Sequence, residues 1–185
     1  MRLTKIYSSG MLMLLLLFSA SSCMNEEVEE TAMEPSPKHV ALEQADNQLA
    51  DNLAMYEAVW DDIINKGEID KINATSFDEN VILVADTENI VGIEGFKGYY
   101  QNYLTGFSDI SFTIVDVFGQ GDKIVKHWNF KGTHSGDFFG IPASGKTVDI
   151  DGVTLVLMKD GKIAQERDFL DNLDFLKQLG LIPEE

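Results

Sequence analysis

Four segments in the C-terminal half, 110–118, 123–131, 147–158 and 163–170, are rich in β-branched and aromatic residues and are separated by turn signals. The turns fall at 119–122, at Asp160-Gly161 and in a longer loop over 132–146, so the segments are expected to pair in order as an antiparallel sheet. One reading of the loop would undo this. Gly140, Gly145, Lys146 and Thr147 satisfy GxxxxGK[ST], in which backbone amides cradle phosphates, the lysine reaches the terminal phosphate and the hydroxyl holds magnesium. That chemistry needs a helix after the loop, because the amides and dipole of a helix N-terminus bind the anion. The residues after Thr147, VDIDGVTLVLMKDG, carry a strand signature with Gly152 inside it, so the run GTHSGDFFGIPASGKT is read as a hairpin connection.

Upstream, apolar residues recur at helical spacing over 40–66 (Leu42, Ala45, Leu49, Leu53, Tyr56, Val59, Trp60, Ile63, Ile64), which predicts one long helix ending near Gly67. A second short helix is expected over 68–77, a strand over 79–85, and a helix over 93–107 carrying Phe96, Tyr99, Tyr100, Tyr103 and Leu104. Tyrosines so spaced serve as core and rim, or line a pocket with their hydroxyls. A last helix over 173–179 is stopped by Gly180 and Pro183, with Asp171 and Asn172 as its caps. Helices first and an antiparallel sheet after make an α+β class.

Trp128, the run Gly132-Thr133-His134-Ser135-Gly136, Gly140-Ile141-Pro142 with Gly145-Lys146, the turn Asp160-Gly161-Lys162-Ile163 and the ending Gln178-Leu179-Gly180-Leu181-Ile182-Pro183 together resemble the SnoaL-like family of polyketide cyclases and ester cyclases. The resemblance extends from about residue 50 to 183. It implies a cone-shaped α+β fold of the NTF2-like kind, with N-terminal helices packed on a curved antiparallel β-sheet over an apolar pocket, and no cofactor. In such a pocket the substrate-binding residues are expected to be Tyr56, Trp60, Tyr99, Tyr103, Trp128 and Phe139.

On the last strand, alternation puts Glu166, Asp168 and Leu170 on one face and Gln165, Arg167 and Phe169 on the other. If the first face looks into the pocket, desolvation and mutual repulsion raise the apparent pKa of the carboxylate pair, leaving a group that gives and takes a proton near neutral pH. An aldol cyclisation requires this, with a base for the proton on carbon beside a carbonyl and an acid for the oxygen. In the family the acid/base aspartate lies two residues after a histidine. Asp168 matches the aspartate, whereas Glu166 stands in the histidine position and Arg167 in that of a following tryptophan. The other reading of the pair is an exposed strand face, with Arg167 paired across the ladder to Asp149 or Asp151.

His134 is the third catalytic candidate, to orient a substrate carbonyl, or else to cap its turn by bonding a backbone carbonyl. His127 alternates away from Trp128 and Phe130 and is expected on a polar face, and His39 in solvent. Three histidines so dispersed give no metal-site spacing. An Asp-Arg-Asp water-activating set, as in the epoxide hydrolases of this fold, is disfavoured because Arg167 and Asp168 point to opposite faces.

The N-terminus is expected to stand apart from this domain. Arg2 and Lys5, the apolar run 11–18 and the small residues 19–22 resemble a lipoprotein signal, with Cys23, the only cysteine, as the lipidated residue and Ala20 where leucine is usual. An acidic tether over 23–38 then leads to the domain over 39–185. Glutamates directly after Cys23 also resemble surface-export signals of Bacteroidota lipoproteins, so an outer-membrane address is expected, with the lipid as the membrane contact. Loss of residues 1–22 would move the formal charge from −17 to −19, since Arg2 and Lys5 go and no acidic residue does. Such a surface repels a phosphate backbone, so no nucleic acid is expected as partner. The expected partners are a small hydrophobic molecule and, through the outer sheet face, a second copy of the chain. Two functions remain open: acid/base chemistry on a small hydrophobic carbonyl compound, or a membrane-anchored module that binds a hydrophobic molecule or a protein without catalysis.

Overall fold

The computed structural model describes residues 36–183. Cys23, the segment 1–22 and most of the acidic tether lie outside the described residues. The described residues begin with Ser36, whose hydroxyl accepts the His39 amide and caps helix α1 (Pro37–Trp60), so the helix starts inside the stretch read as tether.

The helix expected over 40–66 does not run through. At Trp60 it widens into a single π-helical turn, Asp61–Asn65, which turns Trp60, Ile63 and Ile64 together toward the interior. The short helix expected over 68–77 is only one 3₁₀ turn, Ile69–Lys71, because Phe77 is already committed to a strand. Next along the chain are strand β1 (Phe77–Leu83), a two-residue β2 (Ile90–Val91) and helix α2 (Ile93–Gly106). Then come four long strands, β3 (Phe107–Gln120), β4 (Lys123–His134), β5 (Thr147–Lys159) and β6 (Lys162–Leu170), and helix α3 (Asn172–Leu179), capped by Asp171 and ended by Gly180 in the left-handed conformation.

The sheet order is β2-β1-β6-β5-β4-β3. Strands β3 to β6 are antiparallel neighbours, as their turns imply, but β1 lies parallel to β6, so the sheet is mixed rather than wholly antiparallel. The cause is topological: α2 and the whole β3–β5 meander intervene between β1 and β6, and only turn-linked neighbours must run antiparallel. Bulges in β3 near Ser108 and Ile114 and in the β5–β6 ladder near Leu157 break the register and bend the sheet.

Alternation then sorts the side chains by face. On β4 the even positions Ile124, Lys126, Trp128, Phe130 and His134 point inward; on β5 Val148, Ile150, Thr154, Val156 and Met158 do. Helix α1, the π turn that follows it and helix α2 close this inner face with Tyr56, Val59, Trp60, Ile63, Phe96 and Tyr100.

The GTHSG run is a docking point for the hairpin. The amides of Ser135 and Gly136 both donate to the Gly106 carbonyl at the end of α2, at 2.9 Å, and a Cβ on Gly136 would lie 2.1 Å from the Thr105 carbonyl oxygen. Thr147 enters β5 directly, so the GxxxxGKT residues have no helix behind them and form the mouth of the hairpin.

Candidate active site

Register builds the site. One row across the inner face runs Val117, Lys126, Thr154, Asp168, each the direct partner of the next. A parallel row places Ile124, Val156 and Glu166 side by side, and another Trp128, Gly152 and Leu170. The expected shared face of Glu166, Asp168 and Leu170 is therefore the inner one. Arg167 turns outward to Asp86 at 3.2 Å, not to Asp149 or Asp151, because β1 and its following loop flank β6 on that side.

Glu166 is completely buried. Its Oε1 accepts the Tyr56 hydroxyl at 2.5 Å and the Trp60 indole at 3.1 Å, and Oε2 lies 3.2 Å from the Tyr100 hydroxyl. Burial pushes its carboxyl up to about 7, the Asp168 charge adds to this, and the Lys126 charge opposes it. Asp168 is half-buried. Its Oδ1 accepts the Thr154 hydroxyl at 2.5 Å, and its Oδ2 is 3.2 Å from the same Tyr100 hydroxyl. Thr154 in turn accepts the Trp128 indole at 2.9 Å. Gly152 makes that bond possible: a Cβ there would sit 2.2 Å from the Trp128 ring.

Hydrogen-bond counting gives the network a direction. Glu166 Oε1 is occupied by two donors, so when the carboxyl is protonated the proton resides on Oε2, facing Tyr100. Tyr100 then accepts from Glu166 and donates to Asp168. Burial holds the Tyr56, Tyr100 and Tyr103 hydroxyls well above their ordinary range, so they stay protonated at neutral pH.

Tyr100, Tyr103 and Asp168 border a cavity of about 40 Å³ lined also by Trp60, Ile64, Phe112, Lys126, Trp128 and Phe130, with Glu166 behind the lining. At roughly 10–15 Å³ per water position it holds a few waters. Asp168 also borders an outer cleft of about 220 Å³ with Tyr99, Arg167 and residues of the segment after β1, and so lines both cleft and cavity. Phe112 is held at the sheet edge by Asn65, whose side chain accepts the Phe112 amide at 2.8 Å and donates to its carbonyl at 2.9 Å.

Of the residues expected from sequence, Asp168, Trp60, Tyr103 and Trp128 line the cavity. Tyr56 supports Glu166 from outside the lining, and Tyr99 belongs to the outer cleft. Phe139 is exposed on the hairpin loop and covers the outer sides of Tyr99 and Tyr103. His134 does not line the cavity. It is fully buried against Phe107 and Phe138, and its Nδ1 accepts the Ser144 amide at 3.3 Å, with the Ser144 hydroxyl at 3.0 Å. It does cap the turn, but as an acceptor of an amide rather than a donor to a carbonyl. His127 faces outward, 3.7 Å from Asp151.

Sequence reasoning missed Lys126, Thr154 and the bridging role of Tyr100. The signal for Lys126 was present, since it shares parity on β4 with Trp128 and Phe130.

Three helices on a six-stranded mixed sheet, with an inward carboxylate pair beneath the helices, define an α+β protein of the NTF2-like class. The chain belongs to the SnoaL-like polyketide cyclase family, whose model matches residues 50–179. It is similar to TsrD from Streptomyces laurentii, at 28% identity over 72% of this chain and 97% of that one, with a TM-score of 0.64. A putative polyketide cyclase from Bacillus cereus is 27% identical over 80% of this chain and 87% of its own, with a TM-score of 0.57. An epoxide hydrolase of the LEH-like kind from Mycobacterium tuberculosis shares the fold alone, at 14% identity over 72% of this chain and 92% of that one, with a TM-score of 0.56. No curated protein matches the sequence significantly.

Proposed function

We propose that this protein is a cofactor-independent acid/base catalyst that moves a proton at carbon beside the carbonyl of a small, flat, hydrophobic compound. The observation that carries the reading is the Tyr100 hydroxyl at 3.2 Å from both Glu166 and Asp168. Asp168, at the cavity wall, takes the proton from carbon. Thr154 and Tyr100 donate to its two oxygens and orient them. Glu166, ionised over part of the population near neutral pH, accepts that proton from Asp168 through the Tyr100 hydroxyl and hands it back by the same path. A carboxylic acid in the histidine position of the family thus supplies what an imidazole would, a group that titrates near pH 7. The resulting enolate either closes onto a second carbonyl, as in an aldol cyclisation, or is protonated elsewhere, as in an isomerisation.

Solvent deuterium uptake into 2-indanone, followed by NMR, tests this. The wild-type protein is expected to accelerate uptake, and Asp168→Asn to remove about 10²–10⁴ of that rate. Uptake no faster than buffer, or unchanged in Asp168→Asn, would leave the non-catalytic binding module as the function.

The membrane address rests on the sequence alone. Cys23 carries the lipid in this proposal, and labelling of cells with an alkyne fatty acid should mark the wild-type chain and not Cys23→Ser. Among the described residues no helix is long and apolar enough to cross a membrane. Exposed Phe118, Leu155, Leu157 and Phe169 on the outer sheet face support a homodimer, which light scattering of the purified protein would detect or dismiss.

A further inference from the structure

Lys126 is a buried cation that the proton relay does not use. Its ammonium lies 4.4 Å from the centre of the Trp60 ring, 5.2 Å from Tyr56 and 5.4 Å from Phe112. Only 3% of the residue is exposed, and it borders the cavity. No carboxylate lies within 4 Å of its nitrogen and no acceptor within hydrogen-bond distance among the described residues, although an ammonium carries three donors. Desolvation lowers its pKa, against which the charges of Glu166 and Asp168 act. The ammonium thus meets aromatic faces on its buried side and the cavity on the other, where a ligand oxygen can accept its hydrogen bonds.

The position relative to Asp168 is set by the sheet. Lys126 and Asp168 flank Thr154 in one cross-strand row, so their backbones are two strand spacings apart, about 10 Å. Both side chains reach inward over Thr154, and both border the same cavity. A carbonyl group with its adjacent C–H presents an oxygen for the ammonium and a hydrogen for the carboxylate.

We infer that Lys126 is the oxygen-binding group of the site, taking the carbonyl oxygen of an enolisable substrate and carrying the negative charge that develops there as Asp168 removes the proton. The substrate class narrows accordingly to a planar conjugated carbonyl compound whose enolate carries its charge on one oxygen, with the carbonyl end alone entering the small cavity beside Lys126 and Asp168. Proton and charge balance within the step. The C–H electron pair becomes the enolate π bond, the proton goes to Asp168, and the charge moves from the carboxylate to the oxygen at Lys126. In a site with room for few waters, a fixed ammonium stabilises that oxygen more than solvent would.

This assignment rests on the proton-transfer reading, and the two fail separately. The probe is 4-nitrophenol, a flat ring whose phenolate mimics the enolate and absorbs at a longer wavelength than the phenol. In mildly acidic buffer the wild-type protein is expected to bind it as the phenolate. Lys126→Met should bind it at least about tenfold more weakly and as the neutral phenol, since a charge-assisted bond is lost. Asp168→Asn should bind the phenolate more tightly, because a neighbouring negative charge is gone. Lys126→Ala, which opens space for a free cation, should regain phenolate binding on addition of methylammonium. A wild-type protein that binds only the neutral form or does not bind it, or a Lys126→Met protein with the wild-type phenolate fraction, would overturn the assignment. Loss of deuterium uptake in Asp168→Asn with no phenolate at Lys126 would keep the base and remove the oxygen-binding role.

Discussion

The two faces of the sheet carry the same kinds of charged residue and treat them in opposite ways. On the outer face Lys131 pairs with Asp149 at 2.8 Å, and each is held further into its charged form: the Asp149 hydrogen bond raises the lysine, and hydrogen bonds from Asn129 and Lys131 lower the carboxyl. On the inner face Lys126 and Glu166 shift toward neutrality, both chiefly through burial. Lys126 and Lys131 sit on the same strand and differ in parity alone. Water screens and solvates the outer pair, so it fixes little; the inner groups have no such solvent, so every neighbour counts.

The largest expected effect tests the packing that keeps water out. Trp60 is almost fully buried, donates to Glu166 and lies under Lys126, and Trp60→Ala should cost about 3–5 kcal/mol in urea unfolding. A loss below about 1 kcal/mol would mean the inner face is less enclosed than its contacts require.

Next is the pH dependence. Glu166 moves from 4.5 to about 7 on folding, so the native state binds more protons than the unfolded state between those values. Stability from this group is therefore greatest below pH 4.5 and falls as pH rises through 7, by about 3 kcal/mol at the upper limit. Glu166→Gln should flatten that slope in unfolding measured across this range. In Lys126→Met the slope should extend to higher pH, because the opposing cation is lost. A pH profile unaltered by either change would break the contrast between the faces.

Gly152→Ala comes third, at about 1–3 kcal/mol, since its Cβ has no room beside Trp128. The same change should weaken the orientation of Asp168 by way of Thr154 and lower deuterium uptake. Smallest is Lys131→Ala on the outer face, which should leave the unfolding midpoint within error at physiological salt.

Local pattern carried much of the molecule. Strand alternation placed Glu166 and Asp168 on one face, and Asp171 and Gly180 marked the ends of α3 where the structure has them. The boundaries failed where tertiary contacts overrode local preference. Trp60 has to reach Glu166 on β6, and the π turn after it replaces the continuous helix that the spacing of Ile63 and Ile64 suggests. His134 was open to a catalytic or a turn-capping role from its motif, and nothing local could show that Phe107 and Phe138 would enclose it.

By itself, the sequence determined the α+β class, the four long strands and the helices over α2 and α3, the shared face of the β6 carboxylates and the hairpin nature of the GxxxxGKT loop, all of which arise from periodicity and turn chemistry within a few residues. Only the tertiary structure decided that β1 joins β6 in parallel, that Tyr100 bridges the two carboxylates, and that Glu166 rather than its neighbour is fully enclosed. The reason is physical. Parity and turns are properties of adjacent residues, whereas desolvation and hydrogen-bond partnership depend on which distant side chains arrive at the same point, here Tyr56, Trp60 and Tyr100 from two helices onto one strand.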